Sequence, residues 1–254
     1  MSDVPELIAV VLAAGKGTRM KSDLPKVLIP VLGRPMIDYV VDTLRDAGAS
    51  RTVVVVGYRA DDVRRTLASR PNVEFAEQRE QLGTGHAVMM CRDALAASPD
   101  AAVLVVAGDS PMLRAASIVK LASEFRHDDA ALLGTAHRAD PFGLGRIVRD
   151  ASGAFSGIVE EKDATPEQKR ITEVNLSCYL FRCRDLLTAL DGLSDANAQK
   201  EYYLTDVPAI MKRAGKTIRA LPVLQPSEAL SINTPDELRA VEIELTRQSV
   251  AKPV

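Results

Sequence analysis

The run Leu7-Ile8-Ala9-Val10-Val11-Leu12, followed at once by Ala13-Ala14-Gly15-Lys16-Gly17-Thr18-Arg19, constrains this chain more than any other stretch. A short, wholly apolar run rich in β-branched residues reads as a strand buried on both faces, the kind found inside a parallel sheet. It empties into a loop with two glycines, a lysine and an arginine. In such a loop backbone N–H groups approach an anion closely while cationic side chains neutralise it. At the carboxyl end of a first strand, that combination is how an α/β domain holds phosphate. The expectation is an enzyme that handles nucleotides.

Two familiar phosphate loops do not fit. The dinucleotide pattern G-x-G-x-x-G finds Gly15 and Gly17 but meets Met20, and the nucleotide-hydrolase loop needs its Lys-Ser/Thr after a longer span than the one holding Lys16. On these residues a tight strand-to-helix turn serving packing alone stays open. The continuation argues for a ligand. Pro25 stiffens the loop exit, and Lys16, Arg19 and Lys26 fall within the loop and that exit. Leu24, Val27, Leu28 and Ile29 around Lys26 are apolar, so this cation projects from a partly buried segment, where a fixed anion is wanted.

Apolar strands then alternate with helical patterns. Strands are expected over Thr52–Gly57, Val73–Ala76 and Ala102–Ala107, and helices over Met36–Ala47, Ala60–Ser69, Gly85–Ala96 and Ala115–Phe125. Repeated βα units imply a mainly parallel sheet with helices on both faces. The second half differs: Arg146–Arg149 and Ser156–Glu160 around Ser152-Gly153 resemble a hairpin, and Asp163–Arg170 reads as a polar loop or short helix. Val174–Phe181 reads as a strand, Tyr202–Ala214 as a helix ended by Gly215, and Pro235 to about Thr246 as a last helix. No linker divides the chain. The expectation is a single domain over 1–254, with a nucleotide lobe over about 1–136 and a sugar lobe over about 137–240.

The 254 residues suffice for one large α/β core, and a formal net charge of −2 provides no basic field for nucleic acid. No apolar run approaches a membrane span and no signal peptide pattern opens the chain, so a cytoplasmic location is expected. Cys91, Cys178 and Cys183 lack metal-binding spacing and read as core thiols.

The string Leu12–Met20 with Pro25-Lys26-Val27-Leu28 resembles the opening of the sugar-1-phosphate nucleotidyltransferases, or pyrophosphorylases. Within them it is most similar to the uridylyltransferase domain of the bacterial N-acetylglucosamine-1-phosphate uridylyltransferases. Gln81–Ala87, Gly108-Asp109-Ser110-Pro111, Gly145-Arg146-Ile147, Ile158–Ala164, Glu201–Asp206 and Asn233-Thr234 follow in the same order, so the resemblance spans roughly 7–240. It implies a Rossmann-like three-layer α/β fold with a mixed, mainly parallel central sheet. It also implies Mg²⁺-dependent transfer of a uridylyl group from UTP to N-acetylglucosamine-1-phosphate. Glucose-1-phosphate or dTTP specificity, or a non-catalytic nucleotide-sugar-binding module, are the alternatives. The longer relatives often carry an acetyltransferase domain of hexapeptide repeats. None follows here, so acetyl transfer is not expected, and the oligomeric state is left open.

By the same resemblance Arg19 and Lys26 are catalytic, and Asp109 with Asn233 holds Mg²⁺. The base is held by the Leu12, Ala13, Ala14 and Gly15 backbone with Gln78, Gly83 and Thr84, Gly108 is a further substrate-binding residue, and the sugar is contacted by Gly145, Glu160 and Asn175. Residue by residue, other readings stay open. Asp109 can be a turn or cap aspartate before Pro111. Asn233 can be a helix cap, although Thr234 as cap, Pro235 at the first helical position and Glu237 closing a capping box would free its side chain. His86 reads as structural, Glu160-Glu161-Lys162-Asp163 can be an exposed charge run, and Glu201–Asp206 can shape the pocket or simply pack. Two positions depart from the family pattern: Ala107 stands where the uridylyl branch commonly has Tyr, and Ser177 where Asn-x-Gly is usual. Both bear on which sugar is taken.

Overall fold

The computed structural model describes residues 6–17, 20, 22–197 and 199–250. Its centre is a nine-stranded mixed sheet. β1 (Leu7–Leu12) lies between β4 (Arg51–Val56) and β6 (Ala102–Ala107), parallel to both, and β5 (Val73–Glu77) extends that side in parallel. On the other side of β6, β10 (Glu173–Arg182) runs antiparallel to β6 and to β7 (Asp129–His137). β7 pairs in parallel with β11 (Thr217–Leu221), while β8 (Gly145–Arg149) and β9 (Phe155–Val159) form a hairpin against the start of β10. A short ribbon joins β2 (Pro30–Val31) to β3 (Arg34–Pro35).

The central strands β1, β4, β6 and β7 are buried on both faces, which makes three layers. Ile8 and Val10 of β1 enter one core with α3 (Thr84–Met89), α4 (Arg92–Ala96), α6 (Cys183–Leu190) and α7 (Val207–Arg213). Ala9 and Val11 enter the opposite core with α1 (Met36–Asp46), α2 (Ala60–Leu67) and α5 (Ala115–Ser123). Period-two alternation sends successive side chains of one strand to opposite helical layers, so the run has to be apolar throughout. The outer helices show the complementary pattern. In α1, Ile37, Val40, Val41 and Leu44 face inward, at the spacing of one helical stripe.

The expected Gly85–Ala96 helix is two helices, α3 and α4, separated at Met90-Cys91, where Cys91 has φ −87° and ψ −1°. The expected Tyr202–Ala214 helix begins later: Leu204–Asp206 is a 3₁₀ turn, and α7 starts at Val207 because Pro208 is tolerated only in a first helical turn. β7, α6, β11 and the short strands β2 and β3 had no counterpart in the sequence reading. The last helix, α8, runs Pro235–Val250. Among the described residues no helix is long and apolar enough to cross a membrane.

β1, β4 and β5 are laid down in one direction before β6 is added on the opposite side of β1. The winding therefore reverses between β1 and β6, and a crevice opens beyond their carboxyl ends.

Candidate active site

The β1–β6 crevice is built from backbone. Leu12 is in register with Ala107, and the Gly108 N–H donates to the Leu12 carbonyl at 2.9 Å. Gly108 packs tightly: a Cβ there would meet the Leu12 carbonyl oxygen at 3.0 Å and Val11 and Val27 Cγ1 at 3.1 Å, so a larger residue would push these neighbours by a few tenths of an ångström. This close packing holds the following residue, Asp109, at the sheet edge. Opposite it, Pro25 leads into a 3₁₀ turn over Lys26–Leu28 whose Val27 and Leu28 are buried, so Lys26 is carried on an anchored segment. Gly17, at φ +68°, lies against the Lys26 stem; a Cβ there would come within 2.5 Å of Lys26 Cβ.

Lys26 Nζ forms an ion pair with Asp109 Oδ2 and donates to Asn233 Oδ1 at 2.7 Å. Residues separated by 83 and 207 positions thus meet on one ammonium. Asn233 is delivered by the start of α8. Thr234 accepts from the Glu237 N–H at 3.2 Å, and Glu237 Oε2 accepts from the Thr234 and Asn233 N–H groups at 2.9 and 2.6 Å. That capping box satisfies the helix end and leaves the Asn233 side chain for the crevice. Asp109 caps no helix: Glu228, not Asp109, accepts from the Arg114 N–H before α5.

A carboxylate oxygen and an amide oxygen drawn onto one cation are hard donors of the kind Mg²⁺ takes. Mg²⁺ is commonly held by one or two protein oxygens, with substrate phosphates and water completing its shell. Among the described residues no three His, Cys, Asp or Glu side chains converge into an all-protein cage. Asp109 and Asn233 therefore fit a metal that arrives with a phosphate chain. Arg19 lies outside the described residues.

Two adjoining cavities lie here, the first of them lined by Lys26 and Asp109. One, of about 420 Å³, is lined by Leu12, Ala13, Ala14, Gly15, Lys26, Gln78, Gly83, Thr84, Ala107 and Asp109, among others. The other, of about 590 Å³, is lined by Gly145, Glu160, Asn175, Lys162, Tyr179, Tyr203 and Thr205, among others. Leu12, Thr84, Ser177 and Glu201 border both, so the two form one cleft.

In the first cavity, Ala13 donates to the Val55 carbonyl at 2.9 Å, and the Ala14 carbonyl accepts from the Tyr58 N–H at 3.0 Å, tying the loop to the end of β4. Gln78 is only 3 % exposed, and its amide donates to the Gly83 carbonyl and to His86 Nδ1, each at 3.0 Å. His86 accordingly has a packing partner that accounts for it. Gly83 has φ +107°, and a Cβ would sit 2.5 Å from the Tyr202 carbonyl oxygen. The reason is backbone pairing: Tyr202 donates to the Leu82 carbonyl at 2.8 Å, Gly85 donates to the Tyr202 carbonyl at 2.7 Å, and Thr84 Oγ1 accepts from the Leu204 N–H at 3.0 Å. The Glu201–Asp206 segment thus both packs and walls the cleft.

In the second cavity three strands converge. Gly145 of β8 is in register with Asn175 of β10, and a Cβ on Gly145 would lie 3.5 Å from both Asn175 Cβ and Glu160 Oε1. Burial pushes the Glu160 carboxyl above its ordinary value, and Asp163 and Asp206 add to this, while the Thr205 hydroxyl beside it works the other way. Glu161 faces a different partner. Arg146, with its side chain 2 % exposed, donates to Glu161 Oε2 at 2.6 Å, and Glu161 also accepts from the Gly143 N–H at 3.2 Å, which ties down the rim of the cavity. The charge run at 160–163 is therefore divided between a half-buried cavity acid, a structural ion pair and the cavity-lining Lys162 and Asp163. Tyr179 escaped the sequence reading. Its hydroxyl accepts from Asn175 Nδ2 at 2.6 Å. The available signal was polar residues at alternate positions, Asn175, Ser177 and Tyr179, with apolar residues between them.

The three cysteines are buried, and burial pushes the Cys91 and Cys178 thiols up to about 12, which suits core thiols.

Comparison with known proteins agrees with this geometry. The MobA-like NTP transferase domain matches residues 9–204. The chain belongs to that family. The match begins in β1 and ends in the 3₁₀ turn before α7, so it takes in the crevice, Asp109, the first cavity and all of the second cavity's lining but Thr205, and not Asn233 or α8. The family makes the chain a nucleotidyltransferase, and the mixed α/β sheet is that of a Rossmann-like nucleotidyltransferase fold. Similar proteins include the bifunctional protein GlmU of Pelotomaculum thermopropionicum, 46 % identical over 96 % of this chain and 53 % of its own length. That of Symbiobacterium thermophilum is 46 % identical over 98 % of this chain and 52 % of its own, and that of Lactobacillus delbrueckii 46 % over 90 % and 49 %. The chain spans about half the length of these curated relatives.

Proposed function

We propose that this MobA-like NTP transferase moves a uridylyl group from UTP to N-acetylglucosamine-1-phosphate, giving UDP-N-acetylglucosamine and pyrophosphate in a Mg²⁺-dependent reaction. The observation that carries the reading is Lys26, which meets Asp109 and Asn233 and with Asp109 lines the first of two adjoining cavities. The sequence resemblance to the uridylyl branch and the GlmU relatives point to the same chemistry.

A sugar-phosphate oxygen attacks the α-phosphorus of UTP, the bond to the bridging α–β oxygen breaks, and that electron pair leaves on pyrophosphate. The difficulty is electrostatic, because a dianion approaches a chain with about four negative charges, and such transfers are catalysed by positioning and charge neutralisation. The first cavity takes the nucleoside: the Leu12–Gly15 backbone and the Gln78–Gly83 turn wall it, with Gly108 setting the crevice width. The second takes the sugar, with Glu160 and Asn175 as partners for hydroxyl and amide groups and Gly145 leaving them room. Lys26 neutralises the phosphates between the two, and Arg19, by the family resemblance, shares that task. Asp109 and Asn233 would hold Mg²⁺, which, when bound, supplies positive charge to the phosphate oxygens. A cytoplasmic location goes with this reading, since UTP and sugar phosphates are its substrates.

The test is pyrophosphate release across a grid of nucleoside triphosphates and sugar-1-phosphates, with and without Mg²⁺. The highest turnover is expected with UTP and N-acetylglucosamine-1-phosphate plus Mg²⁺. Preference for glucose-1-phosphate or dTTP would move the assignment within the family, and nucleotide binding without turnover for any pair would leave a binding module.

A further inference from the structure

The region where the two cavities meet is organised around Ser177. β10 carries a bulge between Asn175 and Cys178 in its pairing with β7, and within it Ser177 takes φ +52°. Serine has no intrinsic reason to adopt a left-handed conformation, which costs roughly 1–2 kcal/mol outside glycine. Such residues concentrate where a site needs a particular side-chain placement. Ser177 lines both cavities, and Leu12, Thr84 and Glu201 are the other residues that do so. Its N–H donates to Asn175 Oδ1 at 3.3 Å, and its hydroxyl sits beside that of Tyr179, which Asn175 Nδ2 also reaches. Across the sheet the last ladder pair is Cys178 with Val106, so Ser177 stands one step further out, opposite Ala107, the residue before the Gly108-Asp109 edge. Ala107 lines the nucleotide cavity and offers only a methyl group. The room beside Ser177 is thus left to whatever spans the two cavities.

Resting on the sugar-phosphate transfer reading, we propose that Ser177 is a specificity-determining residue for the acceptor. The bulge turns its hydroxyl to the junction of the two cavities, where it hydrogen-bonds the sugar-1-phosphate as one of a set with Asn175 and Tyr179. The bulged, left-handed backbone is retained because it aims this hydroxyl.

Ser177→Ala keeps the side-chain volume near Cβ and removes the hydroxyl, whereas Ser177→Gly removes both and relieves the backbone. Steady-state pyrophosphate release is measured for wild type and both variants with UTP against a panel of sugar-1-phosphates, and thermal melting reports folding. Both variants are expected to raise KM for the preferred acceptor about tenfold, the worth of one hydrogen bond. Both should narrow the kcat/KM ratio between the first and second acceptors by a similar factor, with KM for UTP within twofold. Ser177→Gly alone should melt higher than wild type. Unmoved acceptor KM and ratios in both variants, with normal wild-type turnover, overturn this proposal alone. No pyrophosphate from wild type with any acceptor overturns the transfer reading and this one with it.

Discussion

At the scale of single residues, electrostatics decides what the site can do. Lys26 is 15 % exposed and held by two oxygens, so its charge is positioned before any substrate arrives. Preorganised cations of this kind commonly contribute two to three powers of ten to a transfer between anions. Lys26→Ala is therefore expected to lower kcat/KM by at least about 10²-fold, measured by pyrophosphate release with UTP and the best acceptor. Lys26→Arg should recover little, because a planar fork does not reproduce a compact ammonium between two acceptors. Turnover of Lys26→Ala within threefold of wild type would remove Lys26 from the mechanism. Glu160 gives a second prediction, with a definite sign. Burial, then Asp163 and Asp206, raise its folded-state pKa above the ordinary 4.5. A raised carboxyl favours the folded state while protonated, so its contribution is fully present below about pH 4.5 and is lost as pH rises through the folded value. At pH 8 the ligand-free protein carries an ill-solvated carboxylate that Glu160→Gln removes. This variant should melt higher than wild type at pH 8 and equally at pH 4. Taking the difference between the two proteins cancels the other titrating groups, Asp206 among them. A loss at pH 8, or the same gain at both values, would contradict the cause assigned here.

Elements carry these side chains, and the glycine turn before α3 shows how. Gly83 lies in a backbone region open only to glycine, and the segment at Tyr202 crosses directly over it. Gly83→Ala is expected to destabilise the fold by about 2–3 kcal/mol, lowering the melting temperature by roughly 5–10 °C. Gly157→Ala in β9 is the control: nothing lies within 4 Å of its Cβ position, and little change is expected. If the two melt alike, the crossing is not the constraint. The same turn shows what sequence can convey. Glycines at 83 and 85 announce a special backbone, but not that residues near 202 are the reason, since that pairing forms only in three dimensions. β1, β4 and β6 were readable because central strands must be apolar on both faces. The α8 capping box was readable because its hydrogen bonds are local. β7 was harder to read because Ala130–Ala136 carries no Val or Ile and is interrupted by Gly134, so it lacks the β-branched run that marks β1, β4 and β6, and Asp129 and His137 at its ends look like loop. α6 follows β10 without a break, as the strand ends at Arg182 and the helix begins at Cys183 with neither Gly nor Pro between them. The split between α3 and α4 has no breaker residue either, so periodicity ran through it. In the site, Lys26, Asp109 and Asn233 could be named in advance because motifs mark them. The Ser177 conformation depends on a bulge, which register alone reveals.

On the scale of the whole molecule, the question is whether the nucleotide and sugar halves are separable. β10 argues that they are not. It supplies Asn175, Ser177 and Tyr179 to the second cavity, yet its second half, Cys178–Arg182, is paired with Ala102–Val106 of β6, the strand that leads to Asp109. Its side chains also feed both cores: Tyr179 and Phe181 enter one, Cys178 and Leu180 the other. A dividing line near residue 136 falls at the end of β7, whose neighbours in the sheet are β10 and β11. Strands from beyond that line are thus interleaved with strands from before it. Separating the halves would expose an apolar sheet interior on both sides, at about 25 cal/mol for each Å², so partial unfolding of one half should not be populated. Scanning calorimetry is expected to show one transition, with calorimetric and van't Hoff enthalpies equal. The ligand arm makes the test sharper. UTP at about 100 times its Kd should stabilise the protein by about 2.7 kcal/mol and shift that single transition as a whole, although the nucleotide is assigned to the first cavity. Two resolved transitions, only one of them moved by UTP, would show that the shared strand does not couple the halves, and that the cleft is an interface between two units rather than a groove in one.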